Sequence, residues 1–289
     1  MKRNFGLFFL LVVAFACGGK SPQNGKTETS PTSSKKLITA GGTITEIVDA
    51  LGHGDEIVAT DKTSTYPAKM QALPSIGYRN QIQAEGILSL NPDLILVEEA
   101  YLNSDVLTQL KNSGKTVHVL EKPQSIIQAE ELIASIGTLF NESEKAQELI
   151  KKLGEDLDRL QKLKEENADT PKVAFIMSRG PEMVFLAGKN TFADAFITLS
   201  GAEPVSADFE GMKPLTPEAL PALNPDYILL FESGFNAAGG KDGLKAIQGI
   251  TQTEAWKKDQ LIAMDGHYIS SFGPRLGQAA IELFKKTHP

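Results

Sequence analysis

The chain has 289 residues, of which 41% are hydrophobic and 22% charged, and its formal net charge is −7. This length is sufficient for two lobes, each with a hydrophobic core. The acidic balance argues against nucleic acid as a partner, because nucleic-acid-binding domains usually carry a basic surface.

Residues 1–17 have the layout of an export signal. Lys2 and Arg3 precede the apolar run GLFFLLVVAFA, which ends at Cys17, the only cysteine. The run is too short to span a bilayer comfortably. It resembles a bacterial lipoprotein signal, in which cleavage leaves Cys17 as a lipidated N-terminus; an ordinary signal peptide with a chance cysteine is the alternative. Residues 18–35 are rich in Gly, Ser, Thr and Pro, and we expect a flexible tether.

Residues 36–140 predict a first α/β lobe, because apolar strand patterns alternate with helical ones. Strand KLITA leads to helix GGTITEIVDALG, in which Thr43 and Glu46 have the spacing of a capping box. Strand EIVATD, the loop TDKTSTYPAKM, strand DLILVEE, helix SDVLTQLKNSG and strand TVHVLE follow.

Residues 141–168 predict one long helix, because their apolar residues recur at helical spacing. About 24 residues at about 1.5 Å each make a rod of about 36 Å, a stiff connection between two lobes. Residues 169–289 predict the second lobe, with strand KVAFIMS, strand VFLAG, helix TFADAFITLSG, strands DYILLF and LIAMDG, and a last helix after GPR.

An internal repeat relates the two lobes. Residues 90–96 read LNPDLIL and residues 223–229 read LNPDYIL, 133 positions apart, and the same offset relates Glu85 to Glu218. Each copy predicts a short helix with a glutamate, an Asn-Pro-Asp turn and a buried strand. The predicted fold is therefore α/β, with two related lobes, one joining helix and a ligand cleft between the lobes.

Motifs typical of catalysis do not occur in the sequence. There is no phosphate-binding loop, no H-E-x-x-H and no cysteine pair, and the chain has only four histidines. A buried zinc cluster is therefore not expected. The sequence favours a binding protein without a catalytic cofactor over an enzyme.

These features together resemble the class III, helical-backbone substrate-binding proteins of ABC importers. The stretches TSTYP and LPSIGY are similar to the hemin-binding branch, with further matches in AGGTITEIVDALG, FEGMKPLTPEAL and FGPR. The resemblance implies a protein that captures hemin (haem b) between its lobes and delivers it to a permease. A corrinoid or ferric siderophore in the same fold is the alternative, and an enzyme or haem chaperone is a rival from another class.

The resemblance implies that Tyr66 ligates the hemin iron, with no other metal bound. A phenolate suits ferric iron, and tyrosine is an established type of axial haem ligand. Pro67 restricts the backbone of Tyr66 to extended conformations. A packing tyrosine is the alternative. The region of Arg179 and Met183 lacks the histidine that some relatives supply, so we expect one hemin with five-coordinate iron or a weak sixth ligand.

The hemin propionates need cationic partners, and arginine suits carboxylates geometrically. The resemblance implies Arg79, Lys213 and Arg275 for this role, and Met212 on the porphyrin face. Three alternatives stay open. The family's basic residue usually stands one place later than Arg79, at the position of Asn80 here, which would put Asn80 at the ligand in place of Arg79. In the second alternative, Met212 fills the core instead of contacting the porphyrin. In the third, Arg275 begins the last helix instead of contacting a propionate.

The repeated glutamates have a different implied role. In the family such residues lie on top of each lobe and pair with arginines of the permease. The symmetric positions of Glu85 and Glu218 fit a two-fold symmetric partner. We therefore expect a monomeric, exported protein, anchored in the cell envelope, that docks on a permease dimer with its ATPase.

Overall fold

A computed structural model describes residues 35–180, 183–205 and 208–289. The predicted export signal, Cys17 and residues 18–34 of the predicted tether lie outside the described residues. Residues 35–289 form one compact unit.

The first lobe is built on a parallel sheet, as its apolar strand runs predict. The sheet has four strands in the order β2-β1-β3-β4. The strands are β1 (Leu37–Ala40), β2 (Ile57–Thr60), β3 (Leu94–Glu98) and β4 (Thr116–Leu120), and the helices are α1 (Gly42–Val48), α2 (Ala84–Ser89), α3 (Ser104–Asn112) and α4 (Ile126–Leu139), with shorter turns at Asp49–His53, Gly54–Glu56, Ala68–Ala72 and Arg79–Gln81.

One long helix, α5 (Ser143–Glu166), follows the first lobe and has 24 residues. It packs against α4 and against the final helix of the chain. Its buried residues Ala146, Leu153 and Leu160 are seven positions apart and therefore lie on one face. The predicted connecting helix is confirmed.

The second lobe has a mixed sheet in the order β10-β9-β5-β6-β8, with β7 also paired to β5. Strands β5, β9, β10 and β7 are parallel, whereas β6 and β8 are antiparallel additions. The strands are β5 (Lys172–Ser178), β6 (Val184–Ala187), β7 (Glu203–Pro204), β8 (Met212–Pro214), β9 (Tyr227–Phe231) and β10 (Leu261–Met264). The helices are α6 (Phe192–Leu199), α7 (Ala219–Leu223), α8 (Glu232–Ala237), α9 (Gly240–Leu244), α10 (Glu254–Lys257), α11 (Gly266–Ser270) and α12 (Leu276–Thr287), with a short turn at Ile250–Gln252.

The sequence repeat folds into the same structure in both lobes. The Asp93 carboxylate accepts a hydrogen bond from the backbone N of Lys36 at 2.9 Å, and Asp226 accepts one from Lys172 at 2.8 Å. Each aspartate thus fixes the turn to the start of a central strand. The asparagine before each proline has a positive φ, 48° and 41°. The predicted relation between the lobes is confirmed.

One hydrophobic core extends through both lobes. It includes Leu37 of β1, Ile133 of α4, Leu153 of α5, Phe175 of β5 and Leu283 of α12. The linking helix therefore contributes to the packing of each lobe as well as joining them.

Candidate functional site: the cleft between the lobes

A cleft of about 890 Å³ lies between the two lobes. This volume is in the upper part of the range for small-molecule sites and far exceeds the needs of a single ion. Both lobes contribute to its lining: Gly42, Thr43, Lys62, Thr63, Thr65, Tyr78, Arg79, Glu98, Tyr101 and Lys122 from the first, and Met177, Ser178, Arg179, Phe192, Phe231, Glu232, Ser233, Asn236, Asp265, Gly266, His267, Ser270 and Ser271 from the second.

The second lobe presents aromatic rings to the cleft. Phe192, at the start of α6, and Phe231, at the end of β9, stack with centroids 5.6 Å apart and planes 8° apart. Phe175 supports both rings edge-on, at 5.1 and 5.0 Å. Such a surface suits a flat, conjugated ligand. Neither phenylalanine was predicted from the sequence, although the carboxyl end of a parallel strand, where Phe231 lies, is a common place for ligand contacts.

Cations surround the same cleft. Within the described part of the chain, Lys62, Arg79 and Arg179 form no ion pair within 4.0 Å, although they line a cleft in an acidic protein. Lys122 is the exception, with its Nζ 3.8 Å from Oε1 of Glu98. Unpaired cations in a concave site favour an anionic ligand.

Asp61 anchors the loop that carries Tyr66. Its carboxylate is buried, and it accepts hydrogen bonds from the backbone N of Gly41 at 2.9 Å and of Thr63 at 2.7 Å, and from the hydroxyls of Thr63, Ser64 and Tyr101. Burial by itself raises the pKa of Asp61, but the hydrogen bonds from Ser64, Thr63 and Tyr101 hold this pKa below its ordinary value. An ionised Asp61 therefore fixes the backbone of residues 61–64.

Tyr66 is exposed at the edge of the cleft. Its side chain is 41% exposed, and its neighbour Thr65 lines the cavity, whereas Tyr66 itself does not. The guanidinium carbon of Arg275 lies 3.4 Å from the centroid of the Tyr66 ring and 4.8 Å from that of Tyr268. The structure thus places Tyr66 and Arg275, two of the predicted site residues, in direct contact across the two lobes.

Glu46 is a buried carboxylate that joins the lobes. It accepts hydrogen bonds from Nε of Arg275 at 2.7 Å, from Nη2 of Arg275 at 2.9 Å and from Nε2 of His267 at 2.9 Å. Thr43 adds a further contact between the lobes, since its hydroxyl donates to the carbonyl of Ser271 at 3.0 Å. Burial raises the pKa of Glu46, but the hydrogen bonds from His267 and Arg275 outweigh burial and lower it.

The predicted capping box of Thr43 and Glu46 is therefore wrong. Helix α1 begins at Gly42 after Gly41, and no side chain caps its N-terminus. Both polar side chains contact the second lobe instead. The Thr43 hydroxyl donates to the carbonyl of Ser271, and Glu46 accepts from His267 and Arg275.

The other predicted residues lie apart from the cavity lining. Met212 and Lys213 are on the edge strand β8, where Met212 packs against the core and Nζ of Lys213 lies 4.8 Å from the centroid of the Phe209 ring. Asn80 is exposed, and its carbonyl accepts a hydrogen bond from Asn103.

The two repeated glutamates are both exposed. Glu85 is in the first turn of α2, and Glu218 is the residue before α7. Their placement in equivalent helices follows from the repeat.

Glu98, at the end of β3, offers a test of the electrostatics of the cleft. Burial raises the pKa of Glu98, and the charges of Lys122 and Arg79 offset this only in part. The pKa of Glu98 is higher in the folded than in the unfolded protein, so protonation of Glu98 stabilises the fold. This stabilisation is complete at pH values below the pKa of Glu98 in the unfolded protein. It is lost as pH rises through the folded pKa.

Glu98→Gln is therefore expected to increase the free energy of unfolding at pH 7, with the difference from the parent protein vanishing as pH falls below about 4.3. Urea denaturation at a series of pH values measures this difference. A variant that is less stable than the parent at pH 7 would contradict the expectation.

In the described ranges, no group of three or more His, Cys, Asp or Glu side chains is arranged to hold a metal ion. The same part of the chain contains no helix with the length and hydropathy of a membrane span.

Two α/β lobes, a single connecting helix and a mixed aromatic and cationic cleft define a two-lobed ligand-binding protein. Residues 37–268 match the periplasmic binding protein family, and the chain belongs to this family. It is the substrate-binding component of an ABC transporter, a non-enzymatic class of transport protein.

Relatives and solved structures show what the chain is similar to. It is 28% identical to the uncharacterized ABC transporter substrate-binding lipoprotein YvrC of Bacillus subtilis, over 100% of this chain and 98% of the relative. It is 25% identical to the vitamin B12-binding protein of Pectobacterium atrosepticum, over 86% and 87%.

Among solved structures, the periplasmic heme-binding protein RhuT of Roseiflexus sp. RS-1, in apo form, is 32% identical, with a TM-score of 0.84 over 88% of this chain and 98% of that one. The periplasmic heme-binding protein BhuT, in complex with two hemes, is 30% identical, with a TM-score of 0.82 over 88% and 97%.

Proposed function

We propose that the protein captures hemin in the cleft between its lobes and delivers it to the permease of an ABC importer. The observation that carries this proposal is the pairing of two chemistries in one cleft: stacked phenylalanine rings on the second lobe, and lining cations from both lobes that form no ion pair with any residue the structure describes. Hemin has a flat, aromatic macrocycle and two carboxylates, so it matches both.

Tyr66 is the tyrosine best suited to bind the iron. A phenolate ligand requires loss of the phenol proton, and burial together with the nearby charge of Asp61 raises the pKa of Tyr101 well above its usual range. Burial likewise raises the pKa of Tyr268 to about 12. Tyr66 is accessible to a ligand at the edge of the cleft, and the guanidinium of Arg275 lies against its ring.

In this proposal Arg275 contacts Tyr66 and does not bind a propionate. Its Nε and Nη2 are both occupied by Glu46, and its guanidinium face is occupied by the Tyr66 ring. Burial lowers the pKa of Arg275, but the hydrogen bonds and charge of Glu46 raise it overall, so the side chain stays charged. Arg275 therefore holds a positive charge beside the ring of Tyr66.

Cobalamin is the second candidate, because several sequence relatives are vitamin B12-binding proteins and the cleft is large. The side chains of its corrin ring are neutral amides and its single phosphodiester carries one negative charge, so cobalamin offers Lys62, Arg79 and Arg179 one anionic group, whereas hemin offers two carboxylates. The unpaired cations therefore favour hemin over cobalamin.

The direct test is titration of the protein lacking residues 1–17, a deletion that leaves the compact unit of residues 35–289 intact. We expect saturable hemin binding at one equivalent, followed by absorbance, and no displacement by excess cobalamin. Displacement by cobalamin, or hemin absorption that rises without saturating, would contradict the proposal.

Two proposals concern location and partners. Cys17 carries a lipid that anchors the exported protein to the membrane, supported by the resemblance of residues 1–17 to a lipoprotein signal. Glu85 and Glu218 dock a monomer on the two-fold symmetric permease, supported by their exposure and equivalent positions in the repeat.

A further inference from the structure

We propose that Lys62 and Arg79 form a binding site for a ligand carboxylate, and that Asp61 positions this site through Tyr101. The inference rests on the proposed function, because hemin supplies the carboxylates. It goes beyond that function, and beyond the propionate contact that the resemblance implies for Arg79, by pairing Arg79 with Lys62 and by assigning the buried Asp61 that positions both.

Arg79 is held in place by its neighbours but keeps its hydrogen-bonding edge free. Its guanidinium lies over the Tyr101 ring at 5.1 Å, and in the described parts of the chain it has no acceptor. Its backbone has φ of 40°, a conformation that is uncommon for residues other than glycine and that occurs frequently at functional sites. A stacked guanidinium with a free edge is suited to two parallel hydrogen bonds to a carboxylate.

Lys62 is structurally linked to the loop of Arg79. Its backbone N donates a hydrogen bond at 2.9 Å to the carbonyl of Gly77, two residues before Arg79. Gly77 has φ of 114°, so a side chain at this position would strain the loop. The Lys62 ammonium lines the cleft and forms no ion pair with any described residue. The pair therefore combines the planar guanidinium of Arg79 with the ammonium of Lys62, which is carried on a flexible side chain.

Asp61 connects both cations to the fold. It directly precedes Lys62, and it accepts the hydroxyl hydrogen bond of Tyr101, whose ring supports Arg79. Its own position is fixed by the backbone N of Gly41 and by the hydroxyl of Ser64 at 2.6 Å. Ser64 in turn belongs to a buried hydroxyl network with Thr45. Asp61 is thus a positioning residue, which acts on the ligand only through its neighbours.

The described acidic side chains of the cleft form no close ion pair with Lys62 or Arg79. Glu98 pairs with Lys122 at 3.8 Å, and it forms no ion pair within 4.0 Å with Lys62 or Arg79, although the charge of Arg79 acts on its pKa. Glu232 and Asp265 line the second lobe and form no ion pair with these cations either. The charge of the pair is therefore available to a ligand.

The test compares hemin with hemin dimethyl ester, which keeps the ring and iron but has no free carboxylate. Lys62→Gln and Arg79→Gln are each expected to weaken hemin binding by roughly tenfold and to leave ester binding nearly unchanged. Lys111→Gln on α3 and Arg159→Gln on α5 are matched controls, since both side chains are exposed and lie outside the cleft.

Asp61→Asn tests the positioning role. It is expected to reduce the preference for hemin over the ester severalfold, by disordering the cations, whereas general damage to the fold would weaken both ligands equally. Asp93→Asn, which also removes a carboxylate that accepts a backbone hydrogen bond, is expected to leave the preference unchanged.

The outcomes separate the two proposals. If the parent protein does not bind hemin, the proposed function fails. The same variants are then tested with ferric dicitrate, an anionic carboxylate chelate. If the parent prefers hemin to the ester and the three variants keep that preference, or if it binds no carboxylate ligand of either kind, the assigned site is overturned.

Discussion

Tyr66→Phe is expected to weaken hemin binding by about two orders of magnitude, equivalent to about 2.7 kcal/mol, and to remove the ferric phenolate absorption. The physical reason is that the phenol oxygen is the proposed iron ligand, while the ring itself is retained. Arg275 can still stack on phenylalanine, so the contact between the lobes should persist. Absorbance titrations of the parent and variant measure both effects.

Two comparisons make this result decisive. Tyr227→Phe changes a buried tyrosine of β9 that does not line the cleft, and its hemin affinity should equal that of the parent. If Tyr66→Phe keeps the phenolate absorption, the iron ligand is another tyrosine. Tyr78, which lines the cleft, would then be replaced first.

Glu46→Gln is expected to lower the free energy of unfolding at pH 7 by about 3 kcal/mol, because it leaves the partly buried Arg275 without its carboxylate partner. The estimate is at the lower end of the range for broken buried ion pairs, because 20% of the Arg275 side chain is exposed. Urea denaturation of the parent and the variant measures the difference. A loss equal to that of Glu142→Gln, which removes a peripheral ion pair with Lys145, would contradict a special role for Glu46.

The effect of Glu46 has a defined pH dependence. The pKa of Glu46 is lowered in the folded protein, so its stabilisation is complete above the unfolded pKa and is lost as pH falls through the folded value. Parent and variant should therefore converge in stability at acid pH, below about 4.3. A difference that stays constant across this range would indicate that packing, and not charge, accounts for the effect.

The lobes, the connecting helix and the repeat could be predicted because their signals are local and periodic. Continuous apolar runs predict β3 and β9, and the seven-residue spacing of Ala146, Leu153 and Leu160 predicts α5. The short strands β7 and β8 were not predicted, because two or three residues carry no period. Helix α4 was not predicted either, although its buried residues Ala129, Leu132, Ile133 and Ile136 have helical spacing.

The site was less predictable, because its contacts join residues that are distant in the sequence. Glu46 and Arg275 are 229 residues apart, and the spacing of Thr43 and Glu46 fits a local cap equally well. Lys62 and Asp61 look like ordinary loop residues until the fold places Tyr101, 40 residues later, against Asp61. Phe192 and Phe231 have the pattern of core residues in the sequence, and they line a cleft only because the first lobe lies opposite them in the fold.

The shared core has a consequence for how this architecture changes over evolution. The repeat indicates two halves of common descent, yet each half now packs against α5, which belongs to neither. A single lobe produced alone would expose the apolar surface that α5 covers and would lose the partner for Glu46 or for Arg275. The halves are therefore no longer interchangeable modules, and recombination between related carriers should succeed only when both lobes and the helix are inherited together.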